Sequence, residues 1–86
     1  MSWRIEWDRT ALKEMGKLDK VVKQRIWDAL DALLKNPEAA DIKKLTGKKG
    51  EWRLKVGKWR VRFRPDFANK VYVITHVGPR RDVYRK

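Results

Sequence analysis

Residues 51–64 of the chain read EWRLKVGKWRVRFR, and this stretch decides the fold. Apolar and charged side chains alternate on both sides of Gly57-Lys58, which is the two-residue period of a half-buried strand. Glycine at the first central position of a two-residue connection favours a type II′ turn. The stretch therefore predicts a β-hairpin in which Val56 lies opposite Trp59 and the pairing continues outward from the turn.

This register gives the hairpin two chemically different faces. Like charges that face each other across a ladder destabilise a sheet by a few tenths to about 1 kcal/mol per pair. A run of facing cations therefore indicates a phosphate-binding surface, for which planar Arg side chains are suited, although a solvated sheet face with protective cations is the alternative. The apolar face holds Trp52, Leu54, Val56, Trp59, Val61 and Phe63, and the cationic face holds Arg53 opposite Arg62, Lys55 opposite Arg60, and Glu51 opposite Arg64.

The net charge of +12 is divided unevenly along the 86 residues. Residues 1–42 hold eight cations and eight anions, whereas residues 43–86 hold fifteen cations and three anions. Such a field attracts polyanions, of which nucleic acid is the most abundant in cytoplasm, and it would also attract an acidic protein or an anionic membrane. Solubility alone does not require this segregation of charge.

Composition narrows the classes of function. The chain has no Cys and one His, so we expect no disulfide, no zinc site, no metal and no cofactor. No apolar run approaches the length of a membrane span, and no signal peptide is recognisable, so we expect a cytoplasmic protein. The length predicts a single domain that occupies residues 1–86.

The first half of the chain predicts one strand and two helices. Apolar residues alternate from Trp3 to Trp7, as in a half-buried strand. Asp8 is a predicted N-cap for a short helix with an apolar stripe of Leu12, Met15 and Leu18, and Asp19 is a predicted N-cap for a longer one. Asn36-Pro37 should end the longer helix. Its apolar stripe consists of Val22, Ile26, Ala29, Leu30, Leu33 and Leu34.

The remaining segments complete an α+β fold. Residues 37–50 contain one Pro and two Gly, which predicts a turn or helical piece followed by a mobile basic loop. Residues 70–77 (KVYVITHV) are apolar on both faces, which predicts an interior strand that Gly78-Pro79 stops. We therefore predict an N-terminal strand, two helices and a three-stranded antiparallel meander, with the helices packed on one face of a small sheet.

Three other side chains are of types that often occur in functional sites. Trp52 and Trp59 could stack on bases, but their phase places them with the apolar face of the hairpin, so we interpret them as core. His76 lies in an apolar strand near its end, where it is either a structural histidine or a catalytic one. The sequence leaves those two interpretations of His76 open.

At this point the chain resembles a known family. The order of the elements, together with DRTALKEMGKL, KNP, KKLTG, WRLKVGKWRVRF and VGPRRDVY, is similar to the RelE toxins of bacterial and archaeal toxin–antitoxin pairs. The likeness covers essentially the whole chain. Its most specific parts are the hairpin at residues 53–60 and the ending at residues 77–84.

The resemblance implies a ribosome-dependent endoribonuclease that cuts mRNA in the ribosomal A site and thereby inhibits translation. The RNA's own 2′-hydroxyl attacks the adjacent phosphorus without a metal or cofactor, so the protein must orient the strand and stabilise the negative transition state. The implied partners are the ribosome with its 16S rRNA, the mRNA and a cognate RelB-like antitoxin. Two alternatives are a ParE-like inhibitor of DNA gyrase and a non-catalytic RNA-binding module.

Carried over position by position, the resemblance implies five catalytic residues. Lys55 would donate a proton to the leaving 5′-oxygen. Arg53 stands where family members often have Lys, and because a guanidinium is effectively never deprotonated it would clamp phosphate instead, which leaves the general acid open. Tyr84 is the implied base, with an ordinary tail residue that caps the sheet as the alternative, and a base here needs Arg60 together with Arg80 or Arg81 nearby because the reference pKa of tyrosine is about 10.

Other cations are predicted to contact RNA without chemistry. Arg62 and Arg64 stand where an uncharged residue is usual in the family, and the extra charge would strengthen binding to ribosomal RNA. Either Arg80 or Arg81 could match the arginine that follows the strand-end glycine. The full set of predicted RNA contacts is Arg62, Arg64, Lys48, Lys49, Lys58 and Arg81.

Overall fold

The computed structural model describes residues 2–47 and 49–79. Over these residues two α-helices pack against a five-stranded sheet of strand order β1-β5-β4-β3-β2, which confirms the predicted α+β class. β1 is parallel to β5 and the other neighbours are antiparallel. The elements are β1 (Arg4–Trp7), α1 (Arg9–Gly16), α2 (Lys20–Lys35), a 3-10 helix (Pro37–Ala39), β2 (Ile42–Lys44), β3 (Trp52–Val56), β4 (Trp59–Asp66) and β5 (Val71–Pro79).

The β3–β4 hairpin has the predicted register. Val56 pairs with Trp59 and Lys55 pairs with Arg60. Gly57 has a φ of +60°, which a residue without Cβ adopts at little cost, and it occupies the first central position of the turn. The ladder reaches only as far as Trp52, because β3 begins there, so the predicted pairing of Glu51 with Arg64 was wrong.

Both helices begin where the sequence predicts. The side chain of Asp8 accepts a hydrogen bond from the backbone N of Ala11, and that of Asp19 accepts one from Val22, each at 2.9 Å. These bonds satisfy amide groups that the first turn of a helix leaves unpaired. α2 ends at Lys35, as the following Asn-Pro pair predicts. Neither helix is long and apolar enough to cross a membrane.

The apolar stripe predicted for α1 was partly wrong. Leu12 is 58% exposed, whereas Ala11 and Met15 are the residues that α1 buries. Those two residues lie four apart and so share one face of the helix. Leu18 follows the end of α1 and still packs against the core from the connection to α2.

One apolar layer joins the helices to the sheet. Ile26, Leu30 and Leu33 of α2 are fully buried, and they belong to one cluster with the apolar face of the hairpin. Burying a side chain of this size stabilises the fold by roughly 1.5–3 kcal/mol. The predicted packing of the helices on one face of the sheet is confirmed. The hairpin residues in the cluster are Leu54, Val61 and Phe63, with Trp52 and Val56 packed against them.

β2 was not predicted. The 3-10 helix matches the helical piece expected after α2, but residues 42–44 form an edge strand in place of a loop. Ile42 pairs with Leu54, and the backbone N of Lys55 donates to the carbonyl O of Asp41 at 3.0 Å. One apolar residue followed by two lysines shows no alternation, so only the contact with β3 reveals this strand.

β5 extends further than predicted. The sequence placed its end at Gly78-Pro79, yet pairing continues with Gly78 opposite Arg60 and Pro79 opposite Trp59. Proline cannot donate to the ladder and is tolerated at such a terminal position. The extension brings the end of β5 beside the cationic side of the hairpin turn.

We predict that Leu30→Ala lowers the free energy of unfolding by about 2–5 kcal/mol, because it removes a fully buried side chain and leaves a cavity. Urea denaturation measures the change. Val21→Ala on the same helix is the matched control, because Val21 is 68% exposed and the loss should stay within about 0.5 kcal/mol. Equal losses in the two variants would contradict the packing of α2 described above.

Candidate active site on the cationic face of the hairpin

Arg60 is a buried cation whose partners are backbone carbonyls. Its side chain lies on β4 with the residue 7% exposed, and Nη1 donates to the carbonyl O of Gly57 at 2.7 Å and of Trp59 at 2.8 Å. Within residues 2–47 and 49–79 no carboxylate forms an ion pair with Arg60. Carbonyls orient the guanidinium without neutralising it, so an anion that reaches this group would be strongly stabilised.

Arg53 and Lys55 lie on the same face of the sheet as Arg60. Lys55 is exposed and directly opposite Arg60, and Arg53 is two residues earlier on β3. Arg53 Nη1 donates to both the carbonyl O and Oδ1 of Asp41, at 3.0 and 3.1 Å. The structure thus brings together the three hairpin residues predicted to be catalytic, and Lys55 is the one most open to solvent.

Arg62 occupies a different environment from the other cations of this face. It is 3% exposed, and its Nη2 and Nε lie 2.9 and 3.0 Å from Oε1 of Glu51. The same Oε1 accepts a hydrogen bond from Thr75 Oγ1 at 3.1 Å. Glu51 therefore neutralises Arg62 inside the fold, and the RNA contact assigned to Arg62 stays a prediction.

Sequence reasoning missed the Glu51–Arg62 pair. The hairpin register placed Glu51 opposite Arg64, and the side chain reaches diagonally to a different partner. A signal existed, because Glu51 is the single carboxylate within residues 51–64 and a buried cation on that face requires a counter-charge. Alternation by itself predicts the face of a residue but not its ion-pair partner.

The structure describes some of the other residues predicted to contact RNA and not the rest. Lys49, Lys58 and Arg64 are exposed, as a contact with RNA requires. Their roles stay predictions. The residues named by the prediction that lie outside the described part of the chain are Lys48, Arg80, Arg81 and Tyr84.

Tyr72 is the tyrosine within the described residues, and it is unsuited to act as a base. It is buried and stacks on Trp3, with the ring centroids 4.5 Å apart. Burial raises the pKa of the Tyr72 phenol above its usual 10, which keeps it neutral near physiological pH. Among residues 2–47 and 49–79, His, Cys, Asp and Glu form no group of three that could hold a metal ion.

His76 faces helix α1. Its Nδ1 lies 3.5 Å from Oε1 of Glu14, within ion-pair distance but without hydrogen-bond geometry, and this nitrogen is shielded from solvent. The same Glu14 oxygen accepts a hydrogen bond from the backbone N of Val77 at 2.9 Å. This contact with the helix favours the structural interpretation of His76.

Comparison with known proteins agrees with this fold. Residues 5–84 match the family described as ParE toxin of type II toxin-antitoxin system, parDE. The chain belongs to this toxin family. It is therefore a toxin of the RelE/ParE superfamily, and the similar solved structures specify the RelE fold.

Several of those structures contain an antitoxin, and three of them are described here. The chain is 27% identical to a protein in the archaeal RelE–RelB complex from Pyrococcus horikoshii OT3, covering 93% of this chain and 97% of that one at a TM-score of 0.74. It is 26% identical to a chain of the intact E. coli RelBE toxin–antitoxin complex, with 90% and 95% covered and a TM-score of 0.75. A variant of E. coli RelE bound to an antitoxin RelBc peptide is 25% identical, with 99% and 93% covered and a TM-score of 0.74.

We predict that Glu51→Ala destabilises the toxin by about 3–5 kcal/mol, because it removes the carboxylate that forms an ion pair with the buried Arg62. Urea denaturation at neutral pH provides the measurement. Glu6→Ala is the matched control, since it removes a carboxylate from an exposed pair with Arg4 and should cost no more than about 1 kcal/mol. A loss in Glu51→Ala as small as in the control would show that Arg62 finds another counter-charge.

Proposed function

We propose that this toxin is a ribosome-dependent endoribonuclease that cleaves mRNA in the ribosomal A site. The observation that carries the proposal is the shared face of Arg53, Lys55 and Arg60, on which Arg60 is buried and bonded to carbonyls. A cradle of cations is the main catalytic material for a reaction that makes a phosphate more negative. The coarser conclusion, a toxin of a toxin–antitoxin system, rests on the family match.

In the proposed reaction the 2′-hydroxyl oxygen attacks the adjacent phosphorus and the bond from phosphorus to the 5′-oxygen breaks. The products are a 2′,3′-cyclic phosphate and a free 5′-hydroxyl, which takes up the proton that balances the one lost from the 2′-hydroxyl. Directly opposite residues of an antiparallel pair have Cβ atoms about 4.5–5.5 Å apart, so Lys55 and Arg60 can contact one phosphate. Arg60 would stabilise its non-bridging oxygens and Lys55 would protonate the leaving oxygen.

The remaining predicted roles complete this proposal. Arg53 would clamp phosphate through its planar side chain, and it could exchange its contact with Asp41 for one with RNA. As the family resemblance implies, Arg80 would supply a further cation and Tyr84 would act as the base. The exposed side chains of Lys49, Lys58 and Arg64, with Lys48 and Arg81, would contact ribosomal RNA through its phosphates.

The proposed physiological partner is a RelB-like antitoxin that acts in the cytoplasm. Several similar toxin structures contain a RelB protein or peptide, among them the three described above. The excess of fifteen cations over three anions in residues 43–86 would attract a partly acidic segment. Such a segment would cover the cationic face and compete with RNA for it.

The activity is tested with purified toxin and ribosomes programmed with a defined mRNA. We expect cleavage within the A-site codon, mapped by primer extension, and none on the same mRNA without ribosomes. A message with a 2′-deoxy nucleotide immediately 5′ of the scissile phosphate should remain intact, because the nucleophile is missing. Cleavage of that deoxy message at the same bond would overturn the proposed chemistry.

We predict that Arg60→Ala lowers kcat for ribosome-dependent cleavage by about 10²–10³-fold, as the loss of one preorganised transition-state donor does. Its affinity for ribosomes should fall far less. Lys13→Ala, which removes an exposed cation from α1, is the matched control and should cleave like the unaltered toxin. Urea denaturation identifies any loss due to unfolding. Proportional losses of turnover and ribosome affinity would instead favour a non-catalytic RNA-binding module.

A gyrase inhibitor is the second candidate, because the matching family is described as ParE toxin. A toxin of that kind would leave the message intact and trap DNA cleaved by gyrase. The cationic face of Arg53, Lys55 and Arg60 favours the nuclease, since an inhibitor that acts by binding alone does not need a phosphate cradle. Parallel assays with programmed ribosomes and with gyrase separate the two candidates directly.

A further inference from the structure

β5 continues beyond its neighbouring edge strand. The backbone N of Asp8 donates to the carbonyl O of Ile74 at 3.0 Å, and this is where pairing with β1 ends. Asp8 is also the N-cap of α1, so the chain leaves the sheet at that point. β5 extends for five more residues, to Pro79. Backbone groups on this edge of residues 75–79 therefore need partners other than β1.

Glu14 supplies one of those partners from α1. Its Oε1 accepts a 2.9 Å hydrogen bond from the backbone N of Val77, and the Glu14 side chain is 13% exposed. A hydrogen bond from an amide to a carboxylate is roughly twice as strong as a neutral one. The same oxygen lies 3.5 Å from His76 Nδ1. Glu14 thus accepts a hydrogen bond from Val77 and contacts the preceding residue, His76, near the end of β5.

This bond lies next to the candidate catalytic face. Val77 is opposite Val61, and the next residue, Gly78, is opposite Arg60. Gly78 is also two residues before Arg80 in the sequence. A shift of β5 at Val77 would therefore move the strand against Arg60.

We propose that Glu14 is a positioning residue for the ribonuclease reaction. By accepting the hydrogen bond from Val77 N, it fixes the end of β5 against Arg60. The inference rests on the proposed nuclease function and assigns Glu14 no contact with RNA. A displacement of about 1 Å in a catalytic group can cost about 10²-fold in rate, so a bond outside the chemistry can control it.

The test compares Glu14→Ala with Glu14→Gln. Gln keeps a carbonyl oxygen that can accept from Val77 N, and Ala does not. We expect kcat for ribosome-dependent cleavage to fall about 10–100-fold in Glu14→Ala with KM for ribosomes nearly unchanged, and Glu14→Gln to recover to within about threefold. Glu38→Ala, an exposed carboxylate on the 3-10 helix, matches the change in charge and should cleave normally.

Hydrogen exchange gives a readout that does not depend on activity. The Val77 amide should exchange at least about tenfold faster in Glu14→Ala than in Glu14→Gln, while the Val61 amide keeps its protection. Unaltered cleavage by Glu14→Ala, or an equal loss in the Ala and Gln variants, would overturn the positioning role while the nuclease proposal stands. If the unaltered toxin does not cleave mRNA, the nuclease proposal and the role that rests on it both fail. Exchange at Val77 then still reports whether the Glu14 bond exists.

Discussion

The register of the β3–β4 hairpin is the constraint on which the rest of the structure depends. Gly57 allows a reversal of two residues, and the alternation that follows assigns Leu54 and Val61 to the core and Lys55 and Arg60 to the opposite face. A slip of one residue would exchange the faces, burying cations under α2 and exposing the apolar side chains. The core and the candidate site are therefore specified by one feature, and neither could change without the other.

The buried cations on that face differ in whether a carboxylate pairs with them. Arg62 is buried and forms an ion pair with Glu51, which offsets the free-energy cost of removing the charge from water. Arg60 is nearly as buried but is held by the carbonyls of Gly57 and Trp59, which orient it without cancelling its charge. Net charge alone cannot make this distinction. Arg60, whose charge no carboxylate of the described residues neutralises, is therefore the buried cation better placed to stabilise a phosphate.

Local signals predicted most of the fold, and tertiary contacts decided the rest. The hairpin register, the helix N-caps and the end of α2 follow from turn chemistry, capping and the Asn-Pro pair. The sequence of β2 shows no alternation of apolar and polar residues, and this strand forms because it pairs with the edge of β3. The Glu51–Arg62 pair and the contact of Glu14 with Val77 join residues 11 and 63 positions apart, and no local pattern encodes such distances. For the candidate site, the sequence predicted which hairpin cations share a face but not which of them is neutralised.

In the proposed function one surface binds both the RNA substrate and the antitoxin, and the two-layer architecture is consistent with that double use. The helices cover the apolar face of the sheet, and Lys55 and Arg60 lie on the opposite face of the hairpin, where no carboxylate of residues 2–47 and 49–79 pairs with Arg60. In the proposed function, RNA phosphates and an acidic antitoxin segment would bind to the same cationic side chains. Two polyanions cannot bind to these cations at the same time. An antitoxin segment that neutralises them would therefore also exclude the RNA. Inhibition by such a segment requires no change in the fold, because covering Arg60 and Lys55 is sufficient.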